Sequence, residues 1–301
     1  VCNDQLAARL GIPAKYYDRM QSEAPALLKD NVNHWLQRSA EQRMVRTLDG
    51  KARAFLSDRY RPLDNYDLAE SVLPKITEAG CRVESAQLTE SRLYIKAVTE
   101  RITFEVSKGD VVQAGIVISN SEVGMGAVKV EPMIFRLVCL NGMIAAENGV
   151  RKFHVGRSGY GDVDEAQEFY RDETRAADDK AFWLKVRDTV DAALDRMKFQ
   201  RIVERFQAAK GDQIEASPIH AVEEVTDRFG LQEREKDSVL NHLIRGGDLS
   251  RYGMVNAVTR ASQDVEDYDR ATDLERMGGE VLVLPQKDWD RIAKEWSRSQ
   301  K

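Results

Sequence analysis

Apolar positions change period several times along the chain, and each change marks an element. In residues 4–20, Leu6, Ala7, Leu10 and Ile12 are spaced as in two short helices meeting at Gly11. Pro13 suits the first turn of the second helix, and Tyr16, Tyr17 and Met20 continue its apolar face. The unit reads as a packing corner first and as a DNA-reading helix-turn-helix second. Leu27, Leu28, Val32, Trp35 and Leu36 recur at helical spacing over residues 22–40. Two short runs, Met44 to Thr47 and Ala52 to Leu56, flank Asp49-Gly50, whose tolerance of positive φ predicts a hairpin. Asp64 to Ala79 returns to period 3.6, with Leu68, Val72 and Ile76 inward, Asp64 as cap and Gly80 as stop. Pro74 inside it predicts a kink or a split.

A strand-rich centre runs from Val83 to Val138. Leu93, Ile95 and Ala97 alternate against Arg92, Tyr94 and Lys96, and Val111 to Ser119 is a longer apolar strand. Lys108-Gly109-Asp110 and Asn120 to Gly126 supply the turns on either side of it. Val128 and Val130 start a strand that Pro132 should bulge or break before Ile134 to Cys139, and Asn141-Gly142 should end the sheet. Short connections favour antiparallel pairing. Residues 149–162 are rich in glycine and basic residues and predict an exposed loop. From Asp164, capped with Gln167, to Ala209 the pattern is helical, with Trp183, Val186, Val190, Ala193 and Met197 in step. Further helices are expected at 217–229, at 232–244 and from Ser250, then a short strand Val281 to Leu284 and a helix Lys287 to Trp296. The class is therefore α+β: a central antiparallel sheet with flanking helices in residues 1–160, and a mainly helical domain in residues 161–301 packed on the first.

Composition narrows the setting. Apolar residues at 42% and charged residues at 32% of 301 suit a globular chain with a sizeable core. The apolar runs are strand-sized, so no membrane span is read. Val1 opens the chain without the basic and then apolar pattern of a signal peptide, and the chain reads as a fragment that has lost an N-terminal segment. Cys2, Cys81 and Cys139 have no paired spacing, and a reducing cytoplasm is the expected location. The net charge of −5 is uneven: residues 1–160 carry +3 and residues 161–301 carry −8. A mildly basic half can hold phosphate while the acidic half stays away from it.

No catalytic or metal centre is read. His34, His154, His220 and His242 lack a second ligand at metal spacing, and neither a phosphate-binding glycine loop nor a nucleophile elbow occurs. Cys139 ends an apolar strand, where an inert thiol is the default. No cofactor is expected. The most distinctive polar run is Lys51 to Arg61, in which cations alternate with aromatics. Arg53, Arg59 and Arg61 could neutralise phosphate with Tyr60 as a stacking platform, and Lys96, Arg151 and Lys152 could extend the track. The plainer account pairs those arginines with Asp58 and Asp64. A second candidate is a small-ligand or enzyme site formed by the turns at Asn120, Glu122 and Asn141, which would meet if the last two strands pair. In the plainer account Glu122 stabilises its turn. A third is a protein-interaction or counter-defence module with the acidic helices of residues 163–275 as its surface.

Leu10 to Tyr17, Asn31 to Leu36, Arg53 to Tyr60 with Asp64-Asn65, Asn120 to Gly124, Arg136 to Gly142 and Asn256 to Thr259 form an ordered series along the chain. The series resembles the phage/plasmid-like protein family, a group built on a domain of unknown function (number 932). The resemblance implies a mobile-element context in a host cell and no assigned enzymatic activity. At the level of fold, the order of helix, antiparallel hairpins and long helix resembles single-strand annealing proteins of the RecT and Redβ type. The expected partner is therefore single-stranded DNA, with annealing carried out by a homo-oligomer and no membrane involved.

Overall fold

The computed structural model describes residues 1–38, 41–58, 60, 62–145, 150–152 and 172–294. Three helices open the chain: α1 (Cys2–Leu10), α2 (Ala14–Glu23) and α3 (Pro25–Gln37). Gly11, in the left-handed conformation at φ 67°, turns α1 into α2. Ala7, Tyr17, Met20 and Leu28 form the small core among them. Strands β1 (Arg43–Leu48) and β2 (Lys51–Ser57) make the expected hairpin, with Asp49 and Gly50 both at positive φ. Helix α4 (Asn65–Glu78) passes Pro74 without interruption; the expected split does not occur, and Leu68, Val72 and Ile76 are buried as their spacing requires.

The main sheet is antiparallel throughout, in the order β3 (Cys81–Leu88), β4 (Leu93–Ser107), β5 (Asp110–Asn120), β6 (Val128–Arg136) and β7 (Asn141–Ile144). A short β8 (Val150–Lys152) also pairs with β6. Pro132 does not break β6. Its carbonyl accepts from Ala145 N, so its nitrogen faces the β7 side, at the gap between the β7 and β8 pairings. The missing N–H therefore removes no bond to β5. Asn141-Gly142 begins a strand instead of ending the sheet, because residues 137–140 make the turn and Leu140 takes positive φ. Of the expected loop at 149–162, the described residues 150–152 are strand, and the remainder lies outside the described residues.

The helical pattern after residue 171 resolves into α5 (Asp172–Ala193) and α6 (Arg196–Ala209), divided where Asp195 caps α6 through Lys198 N. The expected cap at Asp164 lies outside the described residues. Then follow α7 (Pro218–Phe229), α8 (Glu233–Gly246), α9 (Arg251–Ala261), α10 (Tyr268–Leu282) and α11 (Gln286–Ala293). The strand expected at Val281 to Leu284 is instead the end of α10 and the turn after it. The fold is α+β. Among the described residues no helix is long and apolar enough to cross a membrane.

Both faces of the sheet are covered. On one, Ile95, Ala97, Ile116, Ile118, Val128 and Val130 pack against α4 and α5. Farther along that face, Val112, Ala114, Ile134 and Met143 join the core of α6 to α11. On the other face lies α10. Gly279 permits the approach, since a Cβ there would stand 2.0 Å from the Ile144 carbonyl oxygen. This second interface is partly ionic: Lys96 pairs with Glu275 at 2.6 Å, and Arg276 with Glu131 at 2.7 Å.

Candidate nucleic-acid interface

Among the described residues singled out in the sequence, Arg53, Tyr60 and Lys96 do not line one track. Arg53 is half-buried and reaches Glu122 at 3.3 Å. Glu122 also accepts from Asn65 N at 2.7 Å, at the start of α4, while Arg46 takes Asp64 at 2.6 Å. Asn120, fully buried, donates to the Leu63 carbonyl and to Asn65 Oδ1. These groups tie the hairpin and α4 to one end of β5. Tyr60 is corrected from stacking platform to wall: it is buried beside Ala54, Leu56 and Val123, and its hydroxyl donates to the Ser121 carbonyl. Burial pushes that hydroxyl up to about 12. Lys96 is likewise buried under α10, against Glu275 and with its Nζ 4.7 Å from the Tyr268 ring centre, where no strand can reach it. Arg151 and Lys152 lie on β8, whose backbone alone is described, and Arg59 and Arg61 lie outside the described residues.

Asn141 does not meet Asn120 or Glu122. It pairs with Arg136, which pairs with Val112, eight positions from Asn120 along β5. The two polar turns are therefore separated by about 25 Å at the strand rise of ~3.3 Å per residue. Asn141 donates to Thr259 Oγ1 at 2.6 Å and borders a cavity of about 10 Å³, room for one water and no larger ligand. Beside it Arg136 and the Tyr252 hydroxyl share the Asp110 carboxylate, and the two partners hold that carboxyl below its usual range although burial opposes them.

A different concavity combines rings and cations. Gln5 anchors α1 by accepting from Phe55 N and donating to the Val123 carbonyl. Between α1, α3 and the hairpin this leaves a cleft of about 390 Å³ lined by Arg9, Leu10, Trp35, Leu36, Glu41, Arg43 and Phe55. Trp35 is 45% exposed, and the Arg38 guanidinium sits 5.7 Å from its ring centre. Arg9 and Arg43 both donate to Glu41 Oε2. The Arg43 and Arg9 hydrogen bonds keep the Glu41 carboxyl below its usual range. One carboxylate thus holds two guanidinium groups at the cleft, while a third, that of Arg38, lies against the open indole. The sequence reading missed Arg9, Glu41 and Arg43 and treated Trp35 as one more helical apolar position. The available signal was the width of the α3 stripe: Leu28 fills the small core, whereas Leu27 and Trp35 on its flanks stay exposed.

Residues 52–281 match the family model described as Domain of unknown function (DUF932). The chain belongs to this family. No curated protein and no solved structure matches it. The matched region of this DUF932 protein contains the sheet, α4 and most of the helical half, while α1 to α3 and β1 precede it. The cleft therefore joins Phe55 of the DUF932 region to side chains outside it. Inside that region, segments distant in sequence converge at the two ends of β5: 53–65 with 120–124 through Glu122, and 136–142 with 256–259 through Asn141. Both convergences use their polar groups to join elements. Among the described residues no cluster of His, Cys, Asp and Glu could hold a metal ion.

Proposed function

We propose that the protein binds single-stranded nucleic acid, and that the cleft between α1, α3 and the β1–β2 hairpin is a contact point. The observation that carries this reading is the exposed Trp35 ring beside Arg9, Arg38 and Arg43 in a groove wide enough for a base. Aromatic faces stack bases without regard to sequence, and guanidinium groups neutralise the phosphates between them. A duplex hides its base faces, so a stacking site favours a single strand. The net charge of −5 does not oppose this, since a local positive field suffices. Strand annealing in an oligomer, in a phage or plasmid setting, is the wider role to which such binding would belong.

Fluorescence titration with labelled single-stranded and duplex oligonucleotides tests the reading. Single strands should bind more tightly, and their affinity should fall with salt. Trp35→Ala should weaken binding by about 1–3 kcal/mol, roughly fivefold to a hundredfold. Equal affinities for Trp35→Ala and the native protein, or no binding at low salt, would discard the reading.

A further inference from the structure

The hairpin carries two arginine–carboxylate clusters, and they are built differently. Glu122 is 15% exposed, is shared by Arg53 and Asn65 N, and is fixed between β5 and α4. Glu41 is 50% exposed, precedes β1 outside any helix or strand, and pairs with two arginines, Arg9 and Arg43. Those arginines come from separate elements, Arg9 from α1 and Arg43 from β1, yet they converge on the same oxygen. Two guanidinium groups facing one point need an anion between them. That anion here belongs to a half-exposed side chain, and it sits at the wall of the groove that holds Trp35.

We propose that Glu41 is a resident stand-in for a backbone phosphate, which must displace it before a strand can seat in the cleft. This rests on the nucleic-acid reading and adds to it a built-in competitor. In the free protein the carboxylate orients both guanidinium groups and offsets one of their two charges. On binding, a phosphate takes over the two arginines and Glu41 turns to solvent, where it recruits a cation. The native protein therefore gains less from counterion release than its arginine count implies.

Glu41→Gln separates the possibilities, because it keeps the size and an accepting oxygen but removes the charge. Binding of a labelled single-stranded oligonucleotide is measured for both proteins across a salt series. One further uncompensated cation steepens the slope of log K against log salt by about 0.7, which makes Glu41→Gln about fivefold tighter near 0.1 M salt. If the native protein binds while Glu41→Gln shows equal or weaker affinity, or a gain at unchanged slope, the stand-in role is overturned and the binding reading remains. If neither protein binds, the binding reading itself falls and the stand-in role with it.

Discussion

Arg276→Met is expected to lower stability by about 3–5 kcal/mol, seen as a fall in the urea midpoint at an unchanged slope. Glu131 lies in the middle of β6 with no exposure, on the face that α10 covers. Arg276 donates to it from Nε and Nη2 and also holds Asp273. Without the guanidinium, Glu131 is a buried carboxylate stripped of its partner, on the sheet face that carries Met133 and Tyr94. It must then take up a proton or draw in water, and either outcome loosens α10 from the sheet. The pair itself adds little over an apolar substitute, because desolvation offsets its attraction. Glu131→Leu combined with Arg276→Met should therefore recover most of the loss. A single variant that loses less than about 1 kcal/mol would show that the Arg276–Glu131 pair does not hold α10 on the sheet.

How far the chain could be read before its structure was known depended on how local the deciding force was. Asp49-Gly50 sets the hairpin because both residues accept positive φ, and this requirement is met within two residues. The period of Leu68, Val72 and Ile76 needed only one face to bury. Val281 to Leu284 misled because its β-branched composition favours a strand, while α10 is held helical by its docking on β7 through Gly279. Asn141-Gly142 misled in a similar way: the pair favours a turn, yet Leu140 takes the left-handed position and Asn141 bonds to Thr259, 118 residues onward. The candidate site was least legible. Lys96 alternates with apolar neighbours as a solvent-facing lysine would, and the carboxylate that buries it lies 179 residues away. Arg9, Trp35 and Arg43 are brought together only by the packing of α1 along β2, which no local period records.

That buried lysine makes the second large prediction, and its sign depends on pH. Lys96→Met should cost about 3–5 kcal/mol at neutral pH, and the cost should shrink on acidification. Burial pushes the Glu275 carboxyl above its usual value, and Lys96 pulls it back only in part. A carboxyl whose folded value is raised binds its proton more tightly folded than unfolded. The stability it contributes is therefore complete below the usual carboxyl range, near 4.3, and is lost as pH rises through the raised value. Removing Lys96 takes away the charge that restrains the shift, so the folded value climbs further and the variant gains more from acid than the native protein does. Arg276 and Glu131 face the same layer and are common to both proteins, so the difference between the two urea curves isolates Glu275. Glu275→Gln in the Lys96→Met background should flatten the difference and restore most of the stability, because an amide needs no counter-charge. A loss that stays constant from neutral to mildly acidic pH would instead assign it to the missing contact between Lys96 and the Tyr268 ring.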